Sequence, residues 1–390
     1  MIETLSEEEL DFVHTGPGTV AGSYLRMYWQ PIYRASDLPT GKTIPIRIMS
    51  EDLTLYRGET GDIHLVAFRC AHRGTQLSVG WVEGDCIRCR YHGWMYDATG
   101  QCVEQPGEDP AFASKVRIRS YPTQVYLGLV FAYMSEGEPP PMRRYPGHER
   151  PGILETTTPE IAPCNFFNRI ENLPDHVPYT HRESTIRRSG ETVSYRTIYA
   201  ELRDYGVEVG SKEEGPTEYY YMPNADQHNS GASDSTDDRA PRERLAWNVP
   251  IDDATSYRFR VDLVPLVGAA ADEYRSKLAR PTQQAVSVPE VRNEVAESIL
   301  QGKMAIEDMD KSTLIYNLFR IEDYCTQVGQ GAIADRKYEH LGRNDVATIA
   351  IRRLWLRELA SVAAGRSLTD WRMPDHLELA EAGPRKEHPF

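Results

Sequence analysis

The sequence predicts an α+β protein with two domains, or with one domain and a sizeable insertion. Its 390 residues are more than one small hydrophobic core normally accommodates. Short apolar runs separated by turn residues fill residues 30–134, whereas the C-terminal third carries the wider spacing of amphipathic helices. This change along the chain indicates a small antiparallel β domain followed by a domain of mixed strands and helices.

The N-terminal part begins with a predicted helical leader over residues 1–27. Ser6 is a candidate N-cap, because an acidic turn follows it in LSEEELDFV. The β texture then appears in TIPIRIMS, LTLYRG, IHLVAFRC and YLGLVFAYM, which are rich in β-branched and aromatic residues. Turn residues such as Gly-Asp separate these runs, so we predict antiparallel strands over residues 28–135.

A proline-rich segment, residues 136–152, is the best candidate for a linker. Its sequence, EGEPPPMRRYPGHERPG, stiffens the chain and excludes both a helix interior and a central strand. We therefore assign residues 153–371 to a second domain and residues 372–390 to a loose tail.

The second domain begins with predicted strands and a long polar segment. Strand-like pieces occupy residues 194–199, 217–222 and 256–264. Residues 224–244, NADQHNSGASDSTDDRAPRER, are polar and rich in turn formers. We predict a surface loop there, with a lid over a pocket or a partner contact as the alternative, because the segment is longer than a simple connection requires.

The end of the second domain is predicted to be helical. Residues 289–304 begin with a proline suited to a first helical turn. In RNDVATIAIRRLWLRELASVAAG, which ends at Gly365, helical spacing places several apolar side chains on one stripe that should face the core. These are Ile351, Leu354, Trp355, Leu359 and Val362.

The charge of the chain narrows the classes of function. A net charge of -14 and a pI of about 5.3 give no basic footprint for nucleic acid or an anionic membrane. An acidic sum still permits a local arginine cluster for an anionic substrate. The sequence contains no run of about 18 apolar residues, so it predicts no membrane span. The acidic N-terminus lacks the features of a secretory signal, so we expect a cytoplasmic protein.

Cysteine and histidine residues crowd into one short stretch of the first domain. Cys70, Cys86 and Cys89 lie close in sequence to His72 and His92, and six cysteines in so long a chain are too sparse for a disulfide scaffold. Such crowding in a cytosolic protein indicates metal binding. A C-x-H pair followed by a C-x2-H pair suits either a tetrahedral zinc or a Rieske [2Fe–2S] cluster, and the spacing alone does not separate them.

The surrounding residues resemble the Rieske signature of aromatic-ring hydroxylating oxygenases. C-A-H-R-G followed by C-R-Y-H-G-W carries the resemblance. It implies that Cys70 and Cys89 bind one iron and that His72 and His92 bind the other. Using Cys86 instead would break the resemblance, so we assign Cys86 a structural role. The glycines after each ligand pair, Gly74 and Gly93, are expected to let the loops fold closely over the cluster.

A second motif lies in the part of the chain that follows the first domain. A Rieske ferredoxin alone would end near residue 135, so the remaining residues should have another function. NFFNRIENLPDHVPYTHRES, from Asn165, resembles the mononuclear iron motif of the same oxygenases. The resemblance implies that His176 and His181 are iron ligands. Residues five apart differ by about 140° around a regular α-helix, so these rings would not share a face. Pro178 lies between them and is expected to break or kink the helix, which lets both rings turn to one metal.

The acidic residue of this motif is displaced in the present sequence. Members of the family carry it three positions before the first histidine, where this chain has Leu173. Asp175 lies directly before His176 instead. In the family this aspartate bridges to a Rieske histidine of a neighbouring subunit and relays the electron. We expect Asp175 to take that role, with Asn172 or Glu171 as substitutes.

A third iron ligand is predicted in the C-terminal third. Two histidines and one carboxylate on one face of Fe(II) leave positions open for dioxygen and substrate. LFRIEDYCTQVGQGAIADRKYEHLGRND, from Leu318, resembles the late segment of the phthalate-dioxygenase-like branch. The resemblance implies Asp323 as the ligand and Glu322 as the runner-up. The alternative for either residue is an acid at a helix N-terminus, favoured by the helix dipole.

The family resemblance also implies an architecture and a function. It implies a Rieske antiparallel β domain and a helix-grip-like catalytic domain, assembled as a homotrimer. A separate reductase with flavin and iron–sulfur centres would pass electrons from NAD(P)H to the cluster. With O2 at the iron, the enzyme would hydroxylate or O-demethylate an aromatic, carboxylated small molecule. The absence of a Rossmann-type phosphate loop agrees with a partner handling NAD(P)H.

Two other classes of protein remain open from the sequence. One is a Rieske-type electron-transfer protein without oxygenase chemistry, and the other is a zinc-stabilised binding protein. Metal content would separate all three interpretations, because they differ in the number and kind of metal ions in each chain.

Overall fold

The computed structural model describes residues 10–172, 197–213, 215–230, 241–278, 289–309 and 318–374. His176, His181 and Asp175, predicted as iron ligands and electron relay, lie outside them, as does Ser6.

The N-terminal strands form three small antiparallel sheets, as predicted for this part of the chain. Their orders are β1-β11-β10, β2-β3-β4-β9 and β5-β6-β7-β8. The strands are β1 (Gln30–Arg34), β2 (Thr43–Ile48), β3 (Glu51–Arg57), β4 (Ile63–Ala67), β5 (Trp81–Glu83), β6 (Cys86–Arg88), β7 (Met95–Tyr96), β8 (Cys102–Glu104), β9 (Ser120–Tyr121), β10 (Thr123–Tyr126) and β11 (Leu129–Ala132).

The apolar run YLGLVFAYM is divided by a tight turn. Tyr126 at the end of β10 pairs with Leu129 at the start of β11. The two residues between them, Leu127 and Gly128, have φ values of 50° and 78°. Two central residues with positive φ are typical of the turn that matches the twist of a two-residue hairpin. Four residues of the run, Leu129–Ala132, are all buried in β11.

The second part of the chain contains an eight-stranded antiparallel sheet. Its order is β12-β19-β18-β17-β16-β15-β14, and β13 also pairs with β19. The strands are β12 (Ile153–Thr156), β13 (Glu160–Ala162), β14 (Ile198–Arg203), β15 (Gly206–Ser211), β16 (Gly215–Tyr221), β17 (Ala225–Ser230), β18 (Arg242–Pro250) and β19 (Ser256–Val264).

Strand β17 corrects the prediction of a surface loop over residues 224–244. Ala225–Ser230 pair with β16 on one side and β18 on the other, so this part of the segment is central in the sheet. The polar composition misled the prediction, because Asp226 is buried among other polar groups and Gln227 is only 4% exposed. A strand with polar residues on a buried face lacks the apolar alternation by which strands are recognised.

Helices flank the large sheet and confirm the helical C-terminal third. The predicted stripe of the last helix is confirmed for Ile351, Leu354, Trp355 and Leu359, which are buried, while Val362 is half-buried against the same core. The leader differs from its prediction, because residues 10–19 are not helical and the first helix begins after the N-cap Thr19. The helices are α1 (Val20–Arg26), α2 (Pro110–Ala113), α3 (Phe166–Asn172), α4 (Gly268–Leu278), α5 (Pro289–Leu300), α6 (Leu318–Val328) and α7 (Val346–Ala363).

The two faces of the large sheet have different partners. On the apolar face, Trp247 of β18 packs against the rings of Phe131 and Tyr145, at centroid distances of 5.5 and 5.3 Å. This contact joins the sheet to the β1-β11-β10 sheet and to the predicted linker. On the other face, Trp355 of α7 donates a hydrogen bond to the Tyr220 hydroxyl of β16. The polar face therefore lies beneath the helices.

No helix in the described ranges is long and apolar enough to cross a lipid bilayer.

Candidate metal centres

The first candidate centre is built from two loops with matching backbone hydrogen bonds. In the loop after β4, the Cys70 N–H donates to the Thr75 carbonyl at 2.8 Å, and the Gly74 N–H donates back to Cys70 at 3.0 Å. The loop between β6 and β7 repeats the pattern. There the Cys89 N–H donates to the Trp94 carbonyl at 2.8 Å, and the Gly93 N–H donates to Cys89 at 3.0 Å. Each loop thus holds one predicted thiolate at its base.

The glycine in each loop is required by backbone conformation. Gly74 and Gly93 have φ values of 75° and 74°, in the left-handed region that side chains disfavour. A Cβ added at Gly93 would also lie 3.1 Å from Pro106 Cγ. The left-handed backbone conformation therefore requires these glycines, and their close approach to the cluster stays a prediction.

The loops bring all four predicted cluster ligands to one end of the first domain. The His72 and His92 rings lie 4.6 Å apart between centroids. Cys70 and Cys89 are 3% and 2% exposed, whereas His92 is exposed. The thiols therefore lie on the inner side of the centre, and His92 lies at the surface.

Tyr96 connects the thiol of one loop to the domain core. Its hydroxyl accepts a hydrogen bond from the Ala71 N–H at 3.1 Å and lies 3.2 Å from Cys70 Sγ. Burial raises the pKa of the Cys70 thiol, and the hydrogen bond from Tyr96 acts in the opposite direction. A positively charged metal centre would supply the stabilisation that a buried thiolate needs.

The imidazole of His72 has the environment of a metal ligand. Its ring stacks on Trp94, with centroids 4.5 Å apart and planes inclined by 7°. Its Nδ1 atom is buried and has no hydrogen-bond partner within the described chain. Buried polar atoms are normally satisfied, so an unpaired ring nitrogen beside a second imidazole and two thiols fits coordination to a metal.

The geometry favours a two-iron cluster over a single zinc ion. Four ligands around one tetrahedral zinc would lie within about 3.8 Å of one another. The ligand atoms of the four predicted cluster residues do not all lie within 4.8 Å of one another. In the described part of the chain, the one group of three or more His, Cys, Asp or Glu residues that meets this limit is Glu218, Asp226 and His228. Thiols and imidazoles that are set further apart suit a cluster in which each pair binds its own iron.

Cys86 lies outside this centre. It occupies β6, where it pairs with Glu83 of β5. Burial raises the pKa of its thiol, and the carboxylates of Asp97 and Asp85 raise it further. An electronegative setting opposes thiolate formation, in agreement with the structural role predicted for this residue.

The second candidate centre is represented by two predicted residues, Asn172 and Asp323. Asn172 is the last residue of α3, and its side-chain amide donates to Asp323 Oδ1 at 3.4 Å. Asp175, His176 and His181 follow Asn172 in the sequence. Asp323 lies in the second turn of α6, so the first-turn dipole effect does not account for it. Glu322, the runner-up, is 5% exposed.

Glu171 is engaged in a network of charges and is poorly placed to substitute for Asp175. Its carboxylate binds Arg336 at 2.7 Å and also Arg352, and its side chain is 9% exposed. Arg352 in turn binds Glu339 at 2.6 Å. Arg336 and Glu339 belong to the sequence stretches QGAIADR and EHLGRND, for which sequence reasoning gave no chemistry. Their contacts show that these stretches hold the end of α3 against α7.

A further polar group lies on the buried face of the large sheet. The ligand atoms of Glu218, Asp226 and His228 lie within 4.8 Å of one another. Arg258 binds both carboxylate oxygens of Asp226, at 2.8 and 3.1 Å. Burial raises the pKa of Glu218 well above its usual value, and Asp226 adds to this effect. The guanidinium thus takes the place that a cation would need. Sequence reasoning missed these residues because two of them lie in the polar segment predicted as a loop.

Together, the paired loops on a small β domain and the joined α+β domain define a Rieske-type iron–sulfur protein with a second candidate centre. A profile of the Rieske [2Fe–2S] domain matches residues 28–122.

Known proteins resemble the chain over most of its length. The oxygenase subunit of 5,5'-dehydrodivanillate O-demethylase from Sphingobium sp. is 31% identical over 379 residues, covering 93% of this chain and 82% of that protein. The phthalate 4,5-dioxygenase oxygenase subunit from Pseudomonas putida is 27% identical over 397 residues, covering 93% and 87%. A solved oxygenase–ferredoxin complex of carbazole 1,9a-dioxygenase matches with a TM-score of 0.59 and 20% identity, covering 92% of this chain and 98% of that chain.

The chain belongs to the family of oxygenase subunits of Rieske non-haem iron oxygenases. It is accordingly an oxidoreductase of the mono- or dioxygenase class. Membership implies a Rieske [2Fe–2S] cluster and a mononuclear non-haem iron, and the donor set at the first centre fits the cluster. The predicted fold, a Rieske β domain with a catalytic domain of helices and antiparallel sheet, is confirmed.

Proposed function

We propose that the chain is the oxygenase component of a multicomponent system that acts on aromatic, carboxylated small molecules. The system uses O2 and electrons from an NAD(P)H-dependent reductase to hydroxylate or O-demethylate its substrate. The observation that carries the proposal is the presence in one chain of the four-ligand site and of the Asn172–Asp323 contact at the end of α3. A cytoplasmic location stays a prediction from the sequence.

The candidate residues divide into two sets with different tasks. Cys70, Cys89, His72 and His92 would hold the cluster, while His176, His181 and Asp323 would hold the iron. When bound, the cluster supplies single electrons and the iron binds and activates dioxygen. The Tyr96 hydroxyl holds Cys70, the Trp94 ring orients His72, and Asn172 orients the Asp323 carboxylate.

The route of the electron is proposed to cross between subunits. In a homotrimer the cluster of one subunit would face the iron of the next, with Asp175 as the link. The exposure of His92 supports this arrangement, because the imidazole side of the centre is the side open to another molecule. Glu171 is held by Arg336 and Arg352, which leaves Asp175 as the favoured acid.

Relatives support the partner and the substrate class. The carbazole enzyme has been solved as a complex with ferredoxin, which makes an iron–sulfur partner a fitting electron source here. Phthalate 4,5-dioxygenase is a relative whose named substrate is a dicarboxylate. The similar subunit from Sphingobium sp. belongs to an O-demethylase, so the proposal includes both hydroxylation and O-demethylation.

Metal and sulfide analysis of the purified protein tests the proposal. We expect about three irons and two acid-labile sulfides per chain, the sum of one [2Fe–2S] cluster and one iron. Dithionite reduction should give the EPR signal of a Rieske cluster. Two irons and no mononuclear site would replace the proposal with an electron-transfer protein. Zinc without sulfide would replace it with a zinc-stabilised binding protein.

A further inference from the structure

The polar face of the large sheet carries a cluster of arginine side chains. Along β19, Arg258, Arg260 and Asp262 alternate with apolar residues, so all three project from one face. Helices α3, α5 and α6 add one arginine each to this region. We call Arg169, Arg260, Arg292 and Arg320 the arginine cluster.

One carboxylate, that of Glu160, contacts two members of the cluster and acts on the other two, Arg320 and Arg260, through charge alone. Its two oxygens lie 3.5 Å from Arg169 Nη2 and 3.1 Å from Arg292 Nη2. Burial alone would raise the pKa of Glu160, but the guanidinium groups outweigh it and lower that pKa to about 2. The other arginines of this face form ion pairs with other carboxylates. Arg258, for example, pairs with Asp226.

Positive charge therefore exceeds negative charge in the cluster. Burial lowers the pKa of Arg260 to about 9, and the neighbouring Arg244 and Arg320 contribute to this effect. Asp262 lies 3.6 Å from Arg260 but also binds Arg244 at 3.0 Å, so its charge is shared. A chain with a net charge of -14 has concentrated cations at one buried place. Uncompensated buried charge is destabilising, so an anionic ligand would bind favourably at this place.

Two donors of the cluster have no acceptor in the described chain, namely Arg169 Nε and Arg292 Nη1. Arg260 Nε, by contrast, lies 3.6 Å from Asp262 Oδ2. Arg169 is 7% exposed and Arg292 is 2% exposed. A buried donor without an acceptor is destabilising, so two such donors on guanidinium groups that share Glu160 point to a ligand with several acceptor oxygens.

The cluster lies one helical turn from the second candidate centre. Arg169 precedes Asn172 by three residues on α3, and Arg320 precedes Asp323 by three residues on α6. Residues three apart on a helix share a face and are separated by about 4.5 Å along the axis. Arg169 and Arg320 both act on the charge of Glu160, which indicates that the two arginines lie on the same side of the Asn172–Asp323 contact. A benzene ring attached to a carboxylate would span this separation.

We propose that the arginine cluster binds the carboxylate of the aromatic substrate and directs the ring toward the Asn172–Asp323 contact. This inference rests on the proposed function, because it takes the region beside that contact as the substrate pocket. Glu160 already pairs with one N–H group of Arg169 and one of Arg292, so it competes with the ligand for their charge and leaves their other N–H groups for the ligand. The alternative role, a purely structural tie between helices and sheet, makes different predictions.

Binding of benzoate and benzamide to the iron-loaded protein tests the proposal. The two probes share a ring, but only benzoate is charged at pH 7.5. Titration calorimetry without oxygen or reductant should show benzoate binding at least about tenfold more tightly, as expected for charge-assisted hydrogen bonds. Arg320→Gln should weaken benzoate binding about tenfold and leave benzamide unchanged. Arg275→Gln, which removes an exposed arginine of α4, should change neither.

Glu160→Gln gives an effect of opposite sign. Removing the competing carboxylate should tighten benzoate binding several-fold, whereas a structural tie would lose stability and gain no affinity. Equal binding of benzoate and benzamide, or equal loss in Arg320→Gln and Arg275→Gln, would overturn the proposal. A protein that oxidises an uncharged aromatic compound but does not discriminate benzoate would overturn this inference alone. The proposed function fails separately, through the metal content.

Discussion

Adjacent acids on α6 have different surroundings and should have different roles. Asp323 receives the hydrogen bond from Asn172, whereas Glu322 is buried in the packing of the helix. We expect Asp323→Asn to lose about one of three irons and to keep the Rieske EPR signal, since one neutral ligand replaces a charged one at an Fe(II) site. Glu322→Gln is the matched control and should keep all of its iron. If only Glu322→Gln loses iron, Glu322 is the ligand.

The Tyr96 hydroxyl should tune the cluster. A hydrogen bond to a cluster thiolate stabilises the more negative, reduced state, so removing it lowers the reduction potential. For Tyr96→Phe we expect a decrease of about 60 mV, which corresponds to ~1.4 kcal/mol for one electron. Tyr56→Phe removes a hydroxyl of the same domain that donates to the Asp85 carbonyl, and it should leave the potential unchanged. Equal potentials in all three proteins, measured by EPR-monitored titration, would exclude the Tyr96 effect.

At the scale of elements, the charge network around Glu171 ties three separate segments together. It joins the end of α3 to α7 and to the stretch that carries Arg336 and Glu339. Asn168 adds backbone contacts, since its side chain donates to the Gly331 carbonyl and accepts from the Ala334 N–H. The residues that precede the predicted iron ligands are thus fixed by chain that follows them by more than 150 positions.

Breaking this network should reduce stability. Glu171→Gln leaves two arginines side by side without their carboxylate, at side-chain exposures of 15% and 16%. We expect the free energy of unfolding in urea to fall by about 3 kcal/mol, as for other buried pairs that lose one partner. Asp272→Asn breaks the exposed pair with Arg275 and should change it by less than about 0.5 kcal/mol. Equal changes in the two variants would show that the network contributes no more than a surface pair.

Elements were predictable from sequence where burial and pattern agree. The stripe of α7 and the strand over residues 256–264 follow the expected helical and twofold spacing. Strand β17 was missed because the face that it buries is polar. The predicted cluster ligands could be proposed from sequence because they lie within 23 residues of one another, and the structure brings their two loops together. The arginine cluster could not, since its members come from four elements that meet only in the folded chain.

At the scale of the whole molecule, the proposed assembly makes a test possible that no single chain allows. Cys89→Ser should remove the cluster, and Asp323→Asn should remove the iron, so each homogeneous protein should be inactive. In trimers assembled from equal amounts of both chains, an intact cluster should face an intact iron at about one quarter of the junctions. We therefore expect about a quarter of the normal oxygenase activity, because in the proposed assembly electrons cross between subunits.

Sedimentation provides the control for this experiment. The mixed protein should have three times the 44.3 kDa mass of the chain. Mixed trimers without activity would place electron transfer within one subunit, and a monomer would remove the proposed junction altogether.

The alternation along β19 has a consequence for how such an enzyme can acquire new substrates. Arg258, Arg260 and Asp262 face the helices, while Phe259, Val261 and their apolar neighbours face the other domain. Mutational libraries restricted to every second position would alter recognition and leave the interdomain core intact. Substitutions on one face of the strand can therefore change which ligand binds without changing the packing on the other face.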